Sequence, residues 1–257
     1  MSEHVPPVLW QYTFSNFNEK ARWALDFKGI PHERRSLMPG SARALWLSLR
    51  GTVPVLDLDG VRIVDSTRII EALERQVPEP ALYPADSHER KRALELEDFF
   101  DEHAGHELRR AAFHEMRHAP GYRARLLATG RGAATYACLR TMLPVAMLYA
   151  RRRYRIYPTD VEVAKAKIEA ALDRIEAERA GGKYLVGGRF TVADLTAAAL
   201  LFPLADPPEL QYPFPRPVPE PLRRWYEAVA AHPAVAWIGT MYREHRGSSM
   251  ALGAAAR

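Results

Sequence analysis

The chain has 257 residues and a net charge of +5, with 47% hydrophobic and 26% charged residues. This balance excludes a disordered chain and is typical of a globular protein with one large domain or two small ones. A single cysteine, Cys138, excludes an internal disulfide framework and favours a reducing compartment. Because the first residues lack the pattern of a secretory signal, we expect a cytoplasmic protein.

The first eighty residues alternate between strand and helix patterns. An Asp-Gly pair at 59–60 suits the positive φ angles of a tight hairpin turn, and apolar residues at helical spacing separate the short strand-like runs. The predicted elements, in chain order, are strand 8–12, helix 18–28, strand 32–37, helix 41–47, strands 55–58 and 61–64, and a helix from residue 65. Their order is βαβαββα.

Residues 77–88 contain three prolines and no periodicity, which predicts a linker. After it only helices are expected, with an irregular excursion at 203–221 because that stretch holds eight prolines. The predicted helices are 89–118, 160–180, 191–201, 222–231 and 234–245.

Positive charge is concentrated between residues 119 and 159, where eight arginines and no Asp, Glu or His occur. Such a field favours anionic ligands or surfaces, but no nucleic-acid-binding motif accompanies it, so we expect no nucleic-acid partner. The apolar stretch 133–150 is short for a membrane span and contains Arg140 and Pro144. A buried or amphipathic helix is the better interpretation.

Four segments resemble, in the same order, the glutathione S-transferase family. Residues 8–33 resemble its first strand and helix, 51–56 (GTVPVL) its cis-proline loop, 65–70 (DSTRII) an acidic-Ser helix start, and 183–195 the capping region of its helical domain. The resemblance implies a thioredoxin-like glutathione-binding domain, residues 1–82, followed by an all-helical domain, 87–257. Relative to the family, the basic segment 119–159 is extra and would lie over the cleft.

Two short motifs have a physical interpretation beside the resemblance. A cis Val53–Pro54 bond would turn the Val53 backbone outward to pair with an extended peptide such as glutathione, although an ordinary trans proline also fits the pattern. A helix starting at Asp65-Ser66 favours a carboxylate, so Ser66 would bind the γ-glutamyl group or serve as a plain N-cap. The predicted substrate-binding residues are Asn16, Phe17, Val53, Pro54, Asp65 and Ser66.

The resemblance places the activating residue just after the first strand, at Ser15. A serine hydroxyl there would donate a hydrogen bond to the glutathione sulfur and stabilise the thiolate, the nucleophilic form. Tyr12 and Thr13 are alternatives, but the basic pair of Lys20 and Arg22 sets a register that favours Ser15.

Other positions are predicted to be structural or to complete the glutathione site. Thr191 and Asp194 form an S/T-x-x-D capping box that we expect to stabilise a helix without chemistry. No Gln, His or Lys matches the family's contacts to the glycine carboxylate, which leaves Arg43 and Arg50 as candidates.

His114-Glu-Met-Arg-His118 matches the H-E-x-x-H zinc motif, but Ala124 stands where the longer pattern needs a third histidine. We therefore expect no metal. His103 and His106 fall on the same predicted helix, which in the resembling fold lines the second-substrate cleft. A solvated polar face is the alternative.

The sequence thus predicts a glutathione-dependent transferase acting on a small electrophile. A glutathione-dependent isomerase or lyase is an alternative, as is a non-catalytic protein of the same fold that binds a membrane surface or partner through residues 142–155. A homodimer is expected, as in the resembling family, through two facing groups of residues. These groups are Arg68, Ile69, Ala72, Leu73 and Arg75 on one helix, and Glu95, Glu97, Asp98 and Glu102 on the next.

Overall fold

The computed structural model describes residues 5–48 and 51–253. Its described part contains one four-stranded sheet in the order β2-β1-β3-β4. β1 pairs in parallel with β2, and β3 runs antiparallel to both β1 and β4. The strands are β1 (Val8–Gln11), β2 (Glu33–Ser36), β3 (Val55–Leu58) and β4 (Val61–Val64).

Three helices complete this domain: α1 (Asn16–Phe27), α2 (Ala42–Leu47) and α3 (Ser66–Gln76). The predicted βαβαββα order and the thioredoxin-like class are confirmed. The hairpin turns at Asp59 and Gly60, with φ angles of 48° and 79°. Ser41 caps α2 as predicted, its hydroxyl accepting from the Ala44 N–H at 3.3 Å.

The remainder of the described chain is helical, as predicted. The helix predicted at 89–118 is two helices joined by a π-helical stretch, Asp101–Gly105. The helices are α4 (Ser87–Phe100), α5 (His106–Glu115), α6 (Pro120–Leu127), α7 (Ala133–Arg153), α8 (Pro158–Arg179), α9 (Val192–Ala205), α10 (Glu220–Val229) and α11 (Pro233–His245).

α9 is the central element of the helical domain. Its side chains from Val192 to Leu204 are all buried, and it packs against α1, α4 and α11. The prediction that residues 203–221 are irregular is wrong at its start, because α9 continues through Pro203 to Ala205. Packing on all sides stabilises this last turn despite the hydrogen bond that proline cannot make.

Charged residues of α1 are buried between the domains and joined to the C-terminal segment. The Arg246 guanidinium contacts the Glu19 carboxylate at 2.6 Å and the Asp26 carboxylate at 2.9 Å. Arg22 also pairs with Glu19, at 2.7 Å, and Arg34 with Asp26, at 2.8 Å. α1 is therefore held from the side of both domains, which fixes the position of its N-terminus.

The basic segment forms α6 and α7, which pack on each other through a small apolar cluster containing Ala124, Leu127 and Leu143. The alternative of a buried helix is wrong for α7, since within it only Leu139 and Leu143 are buried. Four apolar side chains of α7, Met142, Val145, Leu148 and Tyr149, are 62% to 73% exposed. Within residues 5–48 and 51–253, no helix is both long and apolar enough to cross a membrane.

Part of the surface predicted to form the dimer interface is buried within the chain itself. Ile69, Ala72 and Leu73 are buried in the chain's own core, where α3 packs against α1. Glu97 is also buried and pairs with Lys20 at 2.8 Å. These four residues are therefore not free to contact a second copy, whereas the other predicted interface residues are exposed: Arg68, Arg75, Glu95, Asp98 and Glu102.

Candidate functional site

A cleft of about 2110 Å³ lies between the sheet domain and the helical domain. Its helical wall comes from α5, α6, α7 and α10. The residues predicted to act on or bind substrate all line the other wall of the cleft. They are up to 51 positions apart in sequence, the distance from Ser15 to Ser66. They are Ser15, Asn16, Phe17, Val53, Pro54, Asp65 and Ser66.

Ser15 is the N-cap residue of α1. Its backbone N–H donates to the Tyr12 carbonyl at 3.2 Å, and its carbonyl accepts from the Glu19 N–H at 2.9 Å. The half-buried side chain makes no capping bond and has no hydrogen-bond partner among the described residues. Its hydroxyl therefore stands beside the positive end of the helix dipole, available to a ligand in the cleft.

The Val53–Pro54 bond is cis, as predicted. The Pro54 carbonyl accepts from the Asp65 N–H at 3.4 Å, joining this loop to the start of α3. Within the part of the chain that the structure describes, the N–H and C=O of Val53 have no backbone partner. An extended peptide in the cleft would find both groups free.

Asp65, not Ser66, is the N-cap of α3. Its carboxylate accepts from the N–H groups of Thr67 at 3.0 Å and Arg68 at 3.4 Å, and its φ of 91° is unusual for a residue with a side chain. The alternative of Ser66 as a plain N-cap is therefore wrong. Ser66 is buried and lines the cleft, and its hydroxyl bonds to no other described residue.

The Asn16 side chain is committed to packing between the domains. Its Nδ2 donates to the carbonyls of Gly105 at 3.0 Å and Leu200 at 3.1 Å, and its Oδ1 accepts from the Phe17 N–H. The prediction that Asn16 binds substrate is therefore corrected for its side chain, which positions the first turn of α1. The Phe17 ring packs 4.8 Å from His106 and so contributes to the wall of the cleft.

Both alternatives to Ser15 have their hydroxyls engaged. Tyr12 donates to the Gly51 carbonyl at 3.3 Å, and Thr13 to the Thr129 carbonyl at 3.2 Å. Burial, with a contribution from the nearby Tyr154 phenol, raises the pKa of Tyr12 to about 12. Tyr12 is thus a neutral phenol at physiological pH.

The basic pair that sets the register is structural. Lys20 is buried, and its Nζ lies 2.8 Å from both the Glu97 and Asp101 carboxylates and 2.9 Å from Thr67 Oγ1. Sequence reasoning missed this cluster, because its members come from four elements. It connects α1, the start of α3, α4 and the π-helical stretch.

Several predicted polar contacts lie elsewhere. Arg43 is exposed, with its guanidinium 4.4 Å from the Trp10 ring, and is not part of the cleft wall. Arg50 lies outside the described residues. His103 stacks on Phe99, and α5 ends before His118, so the H-E-x-x-H residues do not share one helix. No group of three or more potential metal ligands occurs among the described residues.

The Thr191–Asp194 box is present at the start of α9. The Asp194 carboxylate accepts from the Thr191 N–H at 2.9 Å and the Leu185 N–H at 2.8 Å. Both residues are buried away from the cleft, so their contribution is to stability.

Two family models match the chain: the glutathione S-transferase N-terminal domain over residues 9–81 and the C-terminal domain over residues 146–228. The first match covers nearly all of the sheet domain, and the second covers about half of the helical domain, from within α7 to α10. The chain belongs to the glutathione S-transferase family.

Curated relatives match only in part. A maleylpyruvate isomerase of a Ralstonia species is 36% identical over 93 residues, which are 34% of this chain and 44% of that protein. A glutathione S-transferase of Pseudomonas putida is 34% identical over 89 residues, 34% of this chain and 40% of the relative. The chain thus spans less than half the length of these relatives.

Solved structures match over almost the whole chain. A glutathione S-transferase of Methylobacillus flagellatus with glutathione bound has a TM-score of 0.63 at 19% identity, covering 93% of this chain and 96% of that one. One from Methylobacterium radiotolerans, in complex with glutathione sulfonate, has a TM-score of 0.55 at 22% identity and covers 90% and 93%. At this identity the likeness establishes the fold.

Proposed function

We propose that this protein binds glutathione along the Val53 and Ser66 wall of the cleft and transfers its thiolate to a small electrophile. One observation carries the proposal: the Ser15 hydroxyl, without a partner among the described residues, lies in the same cleft as the free backbone of Val53 and the start of α3. Relatives of the same fold that hold glutathione support the choice of thiol.

The residues supply binding and thiolate stabilisation. The backbone groups of Val53 would pair with the extended peptide, and Ser66 at the N-terminus of α3 would hold the γ-glutamyl carboxylate. The Ser15 hydroxyl would donate to the sulfur, and the dipole of α1 would stabilise the same negative charge. In the transfer step the sulfur forms a bond to carbon, the leaving group departs with the electron pair, and the thiol proton goes to solvent.

An isomerase or lyase is a second candidate, because similarity to a maleylpyruvate isomerase is one of the stronger partial matches. In such a reaction the same thiolate adds to a double bond, the adduct rotates about the resulting single bond, and the thiolate leaves. The requirements at Ser15 are unchanged, so product analysis rather than mutagenesis separates the two reactions.

The decisive experiment compares Ser15→Ala with Tyr12→Phe. Loss of the hydrogen bond to the thiolate is expected to lower turnover tenfold or more in Ser15→Ala, which corresponds to about 1.4 kcal/mol. Glutathione affinity by calorimetry should change less than twofold, since the peptide's anchors remain. Tyr12→Phe is the matched loss of one hydroxyl from the same wall and should stay close to wild type.

Each other outcome contradicts part of the proposal. Full activity in Ser15→Ala with a loss in Tyr12→Phe would assign activation to Tyr12. Absence of glutathione binding in the wild-type protein would reject the enzyme and leave the non-catalytic alternative, for which the exposed apolar side chains of α7 are the candidate docking face.

We also propose a homodimer, with an interface different from the one predicted. Trp46 and Val61 are 69% and 61% exposed, and the Arg62 guanidinium lies 4.5 Å from the Trp46 ring, so an apolar patch adjoins the edge strand β4. Such a patch is available to a second copy, whereas Ile69 and Leu73 are not. We further propose that the protein is cytoplasmic and that its two domains comprise residues 1–82 and 87–257.

A further inference from the structure

Two arginines of the cleft share one aromatic ring. The Arg109 guanidinium carbon lies 4.4 Å from the centroid of the Tyr154 ring, and that of Arg153 lies 5.7 Å from the same centroid. Arg109 comes from α5 and Arg153 from the last turn of α7, so the pair joins α5 to the basic segment 119–159. All three residues line the cleft.

Neither arginine has a carboxylate partner within residues 5–48 and 51–253, whereas other arginines of the cleft do. Arg110 pairs with Glu107 and also donates to the Tyr154 backbone carbonyl at 2.9 Å, which holds the backbone of Tyr154 against α5. Arg216 pairs with Asp206, and Arg223 pairs with Glu220 and Glu227. Arg68, also without an ion pair there, lies at the start of α3 next to Asp65 and Ser66.

The Arg109 side chain is incompletely satisfied. Its Nη2 contacts His106 Nδ1 at 3.1 Å, while its Nε is buried without any hydrogen-bond partner in the described chain. Burial, together with the charge of Arg153, lowers the pKa of Arg109, although a guanidinium remains protonated at physiological pH. Arg109 is half-buried, and leaving its buried Nε and its charge without a partner is costly, so an anion entering the cleft would offset that cost.

The position of the pair connects it with the thiol end of the cleft. Tyr154 is close enough to Tyr12 to contribute to the raised pKa of that phenol, and Tyr12 precedes Ser15 by three residues. Next to the pair the wall is apolar, with Leu143, Ala146 and Met147 from α7. A ligand held there would have an anionic group at the arginines and an apolar body beside α7.

We propose that Arg109 and Arg153, with the Tyr154 ring between them, bind a carboxylate on the electrophilic co-substrate. The inference rests on the proposed function and adds the substrate class: a small, largely apolar electrophile that carries a carboxylate. A guanidinium matches a carboxylate with two parallel N–H donors, and the ring orients the guanidinium by cation–π contact. The basic segment 119–159 thereby contributes to specificity, because it supplies Arg153.

Direct binding tests the site without any catalysis. The probes are 4-nitrobenzoate and the uncharged 4-nitrobenzamide, titrated by calorimetry into the wild-type protein in the absence of glutathione. We expect the benzoate to bind at least tenfold more tightly, and Arg109→Gln and Arg153→Gln each to remove most of that preference. Arg152→Gln is the matched control, since Arg152 is exposed and does not line the cleft; it should bind like wild type.

Turnover tests the substrate class. With 4-chloro-3-nitrobenzoate, the glutathione sulfur forms a bond to the ring carbon, the carbon–chlorine bond breaks, chloride leaves with the electron pair, and the thiol proton goes to solvent. The methyl ester undergoes the same step without the carboxylate. We expect Arg153→Gln to lower kcat/KM for the acid at least tenfold and to change that for the ester less than twofold.

Three results would overturn the inference. Equal wild-type affinity for the benzoate and the benzamide rejects an anion site. An equal loss for acid and ester, with a raised KM for glutathione, assigns the arginines to a glutathione carboxylate instead. If Arg152→Gln loses as much affinity for the benzoate as Arg153→Gln does, the effect comes from the overall positive charge of the segment and not from a defined site. If no electrophile reacts, the proposed function fails, yet the calorimetric comparison still decides whether the anion site exists. Arg153 is exposed, so its replacement does not depend on the fold tolerating a change at Arg109.

Discussion

Replacing Arg246 by methionine tests how the C-terminal segment fixes α1. The Arg246 side chain is fully buried, and its guanidinium contacts the Glu19 and Asp26 carboxylates at 2.6 and 2.9 Å. Methionine keeps the apolar volume but removes the charge shared by the two acids. Glu19 and Asp26 each keep one other ion-pair partner, Arg22 and Arg34 respectively.

Breaking a buried ion pair by removing one partner typically costs 3–5 kcal/mol. Because neither acid loses its last partner, we expect a value near the lower end, about 3 kcal/mol. That is a large fraction of the roughly 5–15 kcal/mol by which globular proteins are stable. The measurement is the free energy of unfolding in urea at pH 7, with Arg243→Met on the preceding helix, α11, as the control. Arg243 is exposed, and its replacement should change stability by less than about 0.5 kcal/mol.

The pH dependence gives an independent check. Although burial opposes it, the neighbouring Arg246, Arg22 and Arg34 guanidinium groups lower the pKa values of Glu19 and Asp26. A carboxyl whose folded-state pKa is lowered contributes stability above its unfolded pKa of about 4, and that contribution is lost as the pH falls through the folded value. The difference between wild type and Arg246→Met should therefore be largest at neutral pH and shrink below about pH 4. A difference under 1 kcal/mol at pH 7, or one that grows on acidification, would refute the reasoning.

Two further predictions concern stability and assembly. Asp194→Ala leaves the buried N–H groups of Leu185 and Thr191 without their acceptor, so we expect a loss of about 3 kcal/mol in urea unfolding, at one to a few kcal/mol per group; a loss under 1 kcal/mol would contradict this. Light scattering should give twice the chain mass of 29.1 kDa for the wild type and a shift toward the single-chain mass for Trp46→Ser. A wild-type mass near 29.1 kDa would reject the dimer.

Local signals explain which elements could be predicted. The hairpin was predictable because Asp59-Gly60 and the flanking apolar runs determine the turn within a few residues. The course of α9 through Pro203 was not, because burial against α1, α4 and α11 decides it. The same applies to Asn16, whose partners Gly105 and Leu200 are 89 and 184 residues away in sequence.

The same distinction applies to the candidate site: short motifs identify some of its residues, and only the fold brings the others together. Ser15, Val53 and Ser66 each stand in a short motif with a recognisable form, so a resemblance carried by a few residues was enough to select them. The Arg109–Tyr154–Arg153 cluster has no motif, and its two arginines are separated by 44 residues in sequence (153 minus 109). In sequence, Arg153 is one of eight arginines between residues 119 and 159, and nothing in its neighbours distinguishes it from Arg152.

Only the fold distinguishes Arg153 from Arg152. The end of α7 directs Arg153 toward the ring of Tyr154 and leaves Arg152 outside the cleft. The positive charge of the segment was therefore predictable as a property of composition, but its chemical use was not. A field spread over eight arginines attracts anions without selecting among them. Selection requires fixed donors around a defined volume, and here Arg110 holds the backbone of Tyr154, whose ring lies between the two guanidinium groups. For this reason the matched comparison of Arg153→Gln with Arg152→Gln separates specificity from mere charge.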